Sequence, residues 1–132
     1  MKGLFAATCA MLMVGLNSMG GGDMKNVLED IPYSDGEAGK RQLVNQKHLV
    51  IMQAALKPGQ QIPQHKANSN VHLLIVEGRI VVSLAGSDTP AGKGDLLPVA
   101  FNTPMSIRNE SAENASFLIL KAPNPSEMKT GG

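Results

Sequence analysis

The sequence has no tryptophan and only 3% aromatic residues, which leaves no stacking platform for single-stranded nucleic acid or for sugars. It has one cysteine, Cys9, so the chain can close no disulfide and build no thiolate metal site. Any metal would fall to histidine, carboxylate or thioether groups. A surplus of one charge is missing too: Lys and Arg number 12 against 11 Asp and Glu, and neither sign gathers into a block. That excludes the basic face a nucleic acid or an anionic membrane would need, and leaves a small molecule or a second copy of the chain as partner. No Ser-His-Asp set, phosphate loop or Cys-His pair has the spacing for nucleophilic catalysis or nucleotide binding, so no catalytic residue stands out. The longest apolar run, "LFAATCAMLMVGL" from Leu4, is too short to span a bilayer.

That run follows Lys2 and fits the basic and hydrophobic regions of a secretory signal, with Ser18-Met19-Gly20 as a small-x-small cleavage site. A second reading takes "GGDM", Gly21 to Met24, as a bacterial ribosome-binding leader translated by mistake, since its codons give a purine-rich stretch before a start codon. The second is preferred because Met24 opens a polar segment that enters the domain without a linker. It implies a cytoplasmic protein starting at Met24, the first an exported one. Both put residues 1–23 outside the fold.

What remains is long enough for one core. From Arg41 the apolar runs are short, rich in Val, Ile and Leu, and punctuated by Gly, Pro, Asn and Asp, which predicts an all-β antiparallel barrel over 24–122. Strands are expected at Arg41 to Asn45, His48 to Leu56, His72 to Val76, Arg79 to Leu84, Asp95 to Val99, Met105 to Asn109 and Ser116 to Ala122. Lys57-Pro58-Gly59 and Gly86-Ser87-Asp88 read as turns, Glu77-Gly78 as a tight hairpin, and Gly92 to Asp95 as a loop. Residues 123–132, with two prolines and a Gly-Gly end, read as a flexible tail.

Two spaced motifs carry a family resemblance. Gly59, the five residues "QQIPQ", His65 and, farther on, Gly78 match the opening and closing of one; Gly94-Asp95 and Asn109 match those of another. The chain thus resembles the small single-domain cupins of the cupin 2 conserved-barrel type, which implies a jelly-roll-like antiparallel β-barrel. In metal-binding cupins two histidines and a glutamate from the first motif and one histidine from the second hold a first-row metal. Here only His65 keeps its residue, and the other places hold Ala67, Val71 and Met105. Ala100 and Asn102 replace the proline and inner glycine of the second motif. The resemblance therefore implies a barrel with a degenerate metal site. No cofactor is expected, and a divalent metal, if one binds, would use His65 with His72 or Met105.

On this alignment a ligand pocket is expected to be lined by Met52, His65, Ala67, Val71, Leu73 and Met105. One imidazole does not make a tight divalent site, which takes three or more protein ligands. His72 lies one residue past the glutamate place, so strand alternation turns it to the opposite face unless a bulge intervenes. His48 reads as the wet end of a strand. Met52 and Met105 would suit a cuprous ion with His65, but methionine is also a common core filler. Arg108 is expected to face outward by alternation. The function expected is non-catalytic binding of a small, partly apolar ligand by a homodimeric barrel. The alternatives are a weakly metal-dependent isomerase or dioxygenase and a structural dimerisation module.

Overall fold

The computed structural model describes residues 23–128, and the expectations for the signal or leader at 1–22 and for 129–132 lie outside them. Nine strands follow in order: β1 (Gly39–Asn45), β2 (Val50–Leu56), β3 (Gln61–Lys66), β4 (Val71–Glu77), β5 (Arg79–Leu84), β6 (Ser87–Gly92), β7 (Leu96–Val99), β8 (Pro104–Arg108) and β9 (Ala115–Lys121). One short 3-10 turn, Pro125–Glu127, closes the described chain. Every pairing is antiparallel, in a five-stranded sheet ordered β1-β2-β9-β4-β7 and a four-stranded sheet ordered β3-β8-β5-β6. The all-β antiparallel barrel expected from the sequence is the fold.

Period-two patterning sets the core. Val71, Leu73 and Ile75 of β4, Ile80 and Val82 of β5, Met105 and Ile107 of β8, and Phe117 of β9 turn inward and form one buried cluster drawn from both sheets.

Two strands escaped the sequence reading, β3 and β6. Both are edges of the four-stranded sheet, and both carry a proline, Pro63 and Pro90, with polar neighbours. An edge strand tolerates a missing N–H and needs no apolar outer face, so its sequence looks like loop. The β5–β6 connection is Ala85-Gly86, both at positive φ (49° and 90°), one residue earlier than the expected Gly86-Ser87-Asp88 turn. This two-residue link matches the twist of a hairpin.

Glu77-Gly78 is not a hairpin. β4 pairs with β7 and β9, whereas β5 pairs with β6 and β8, so Gly78 is the corner where the chain leaves one sheet for the other. At φ 74° it passes so close to β9 that a Cβ would lie 2.3 Å from the Asn114 carbonyl oxygen and 2.8 Å from the Ala115 Cα. The local Glu-Gly signal marks a turn, but a partner some forty residues away decides what it joins.

On the outer face of the five-stranded sheet, residues 26–30 lie across β1 and β2. Arg41 donates to the Gln53 side-chain oxygen (2.9 and 2.7 Å) and to the carbonyls of Asp30 (2.9 Å) and Glu29 (3.0 Å). The Gln53 amide donates to the Val27 carbonyl (2.7 Å) and the Ser116 hydroxyl (2.8 Å), which donates to the Ala54 carbonyl (3.0 Å). Gln53 and Ser116 are fully buried with their polar atoms satisfied.

The first part of the expected flexible tail runs along the surface. Ser69 donates to the Pro123 carbonyl (2.6 Å), and the Asn124 side chain donates to Asn45 (2.9 Å) and to the Gln46 carbonyl (3.1 Å).

Candidate functional site

The inward faces of both sheets meet around a cavity of about 110 Å³. Strand register explains its walls. Met52, Ile119 and Leu73 form one rung across β2, β9 and β4, and the next rung along β9 carries Lys121 opposite Val71. From the other sheet, His65 faces Met105 across β3 and β8, and Ile62 faces Ile107. The β3–β4 turn contributes Ala67 and Asn68, and β1 contributes Lys40. Ala67 is fixed by backbone bonds to the β7–β8 loop, its N–H donating to Thr103 O (2.9 Å) and its carbonyl accepting from Asn102 N–H (2.8 Å).

All six residues expected to line a pocket, Met52, His65, Ala67, Val71, Leu73 and Met105, line this cavity. Ile62 and His65 are three apart and would face opposite ways in a regular strand. The register shifts between them, and this irregularity brings both to the cavity. The His65 Nδ1 lies 3.0 Å from the Pro63 carbonyl. A carbonyl can only accept, so Nδ1 carries the hydrogen and Nε2 is the nitrogen that bond leaves over. His72 is exposed on the opposite face of β4, and His48 is exposed in the β1–β2 turn. Arg108 points outward, where it pairs with Asp88 (2.8 Å) and Glu110. Those hydrogen bonds raise its already high pKa.

Sequence reasoning missed the two lysines. Each stands near a strand end, where a solvated charge is the ordinary case, and only the pleat and the pairing reveal that both line the cavity. The only other ionisable group there is His65 from β3. β2, β4 and β8 supply apolar side chains, and among the described residues no carboxylate lines the cavity. Burial, and after it the positive charge of Lys40, hold the Lys121 pKa below the usual lysine value.

These donors do not fit a first-row divalent ion. Among the described residues no group of three or more His, Cys, Asp or Glu comes together. The cavity offers one imidazole, two thioethers and two ammonium groups, and the last repel a cation.

Two antiparallel sheets closing on a cavity, with loops anchoring its rim, define a small β-barrel of the double-stranded β-helix class. No family model matches the chain. An uncharacterized protein of Methanocaldococcus jannaschii is 36% identical over 87 residues, 65% of this chain and 75% of that protein. The crystal structure of a protein from the same organism, described as RmlC-like cupin family with a double-stranded β-helix fold, superposes with a TM-score of 0.68 at 30% identity, covering 80% of this chain and 91% of that one. The chain belongs to the cupin family. Two more distant structures share the fold alone. An uncharacterized conserved protein of Klebsiella pneumoniae with a double-stranded β-helix domain has a TM-score of 0.73 at 20% identity, covering 79% of this chain and 92% of that one. A predicted oxalate decarboxylase of Thermotoga maritima has a TM-score of 0.60 at 22% identity, covering 65% and 80%.

Proposed function

We propose that this cupin binds a small, partly apolar ligand in its barrel cavity without transforming it. One observation carries the reading: the six residues expected from the motif alignment converge on a single cavity with an apolar floor. Among the described residues the walls hold no Ser, Thr, Cys, Asp or Glu, so neither a hydroxyl or thiol nucleophile nor a carboxylate pair is at hand there. The test is to fill the space. Ala67→Leu puts a larger side chain into the cavity from the rim turn, and should abolish small-molecule-induced shifts of the Met52 and Met105 methyl resonances while the fold persists. Unchanged shifts in that variant would overturn the reading.

Self-association belongs to the same proposal. The five-stranded sheet has open edges at β1 and β7, and Leu96 on β7 is 60% exposed. Exposed edges of this kind favour a symmetric dimer. Light scattering at micromolar concentration should give twice the chain mass, and a monomer mass would contradict it.

A further inference from the structure

Lys40 and Lys121 reach one cavity from different strands, and neither is ion-paired among the described residues. The salt bridges there belong to Lys57 with Asp35 and to Arg108 with Asp88 and Glu110. Resting on the pocket-binding reading, we infer that the cavity takes a short-chain aliphatic carboxylate, its head engaged by the Lys40 and Lys121 ammonium groups and its chain laid on Met52, Leu73 and Met105.

The chemistry of the walls selects this class. Lys121 is partly buried with the exposed Lys40 nearby, which raises the energy of its charge in the empty protein, and an anion relieves it where a neutral ligand does not. Lys121 shows the strain, its pKa held down by burial and by Lys40. A bare phosphate would satisfy the charge but leave the apolar floor unfilled. Among the described residues the lining has no aromatic side chain on which a planar ring could stack. Size points the same way, because a dry cavity of about 150 Å³ takes benzene and this one is about 110 Å³. A branched body of about four carbons fits such a space. The His65 Nε2 and the Asn68 side chain offer further polar contacts at the rim.

The full chain, with its methionine methyls labelled with carbon-13, is titrated by NMR and calorimetry with 3-methylbutanoate, its neutral counterpart 3-methylbutan-1-ol, and inorganic phosphate. The acid should shift the Met52 and Met105 methyls and bind at least about tenfold tighter than the alcohol, with an advantage that shrinks as salt is added. Lys121→Met should weaken the acid at least about tenfold and leave the alcohol within about twofold, while Lys121→Arg retains most of the preference. Equal binding of acid and alcohol, unmoved by Lys121→Met, would overturn the carboxylate assignment and leave pocket binding standing. Phosphate competing as well as the acid would also overturn it. Absence of any shift at Met52 and Met105 with either organic probe would sink both readings together. Should Lys121→Met fail to fold, the acid-to-alcohol ratio of the unaltered protein and its salt dependence decide alone.

Discussion

Lys40 and Arg41 are neighbours on β1 and face opposite sides of the same sheet. On the outer side, Arg41 engages a side-chain oxygen and backbone carbonyls of the covering segment, and Gln53 and Ser116 behind it are buried with every polar atom satisfied. On the inner side, Lys40 and Lys121 share a cavity that holds no carboxylate. Satisfied polar groups hold structure, and an uncompensated pair lowers its energy by binding something. The contrast separates the face of the sheet that holds structure from the face on which ligand binding is proposed.

The largest effect should come from breaking the outer network at its buried centre. Gln53→Ala leaves the Val27 carbonyl without its Gln53 donor and the Arg41 Nε without its acceptor, and should destabilise the protein by about 3 kcal/mol. Urea denaturation reads this, and ligand affinity should change little. Arg41→Met removes the guanidinium bonds to the Glu29 and Asp30 carbonyls of the 26–30 segment, leaves the Gln53–Val27 bond, and should cost about 1.5 kcal/mol. Hydrogen exchange should quicken first in that segment and leave β9 protected.

The inner face should respond with the opposite sign. The Lys121 pKa is lower in the folded protein than in the unfolded chain, so the unfolded state holds the proton more tightly. The charged lysine therefore weakens folding at neutral pH, and that penalty disappears as pH rises through the lowered folded value toward the unfolded one. Lys121→Met should stabilise the empty protein near pH 7. Its advantage should fade on the alkaline side, as thermal melts across the range would show. A variant that loses stability instead would mean that Lys121 has a compensating partner, and the contrast between the faces would weaken. A smaller loss than at Gln53 or Arg41 is expected at Tyr33, whose hydroxyl donates to Glu77 at 2.7 Å. Burial first, and that bond second, raise its pKa. Tyr33→Phe should cost about 1 kcal/mol or less by the same denaturation assay, since the pair is partly exposed.

The central strands were legible because both neighbours and the core impose their pattern. β4 alternates buried Val71, Leu73 and Ile75 with exposed His72, as any inner strand must. β3 and β6 were not, because an edge may carry proline and polar residues without penalty. The cavity walls at Ala67, Val71 and Met105 were legible through motif spacing, which fixes where the backbone goes whatever side chain it carries. Lys40 and Lys121 were not, since a lysine at a strand end looks the same whether it meets water or a cavity. Gln53 was hidden for a related reason: its burial depends on residues 26–30, whose sequence carries no strand or helix signal of its own.

The irregularity in β3 has a consequence for how such a pocket changes over time. β3 pairs with β8 alone, and one misfit between Ile62 and His65 brings the imidazole to the cavity. Loss of a single residue at Pro63 or Gln64 would set two steps of β3 against two of β8, restoring regular pleating with Ile62 and the imidazole still on the same inward face. The extra residue belongs to an edge strand, so a one-codon deletion there would remove the irregularity while His65 kept its place facing Met105.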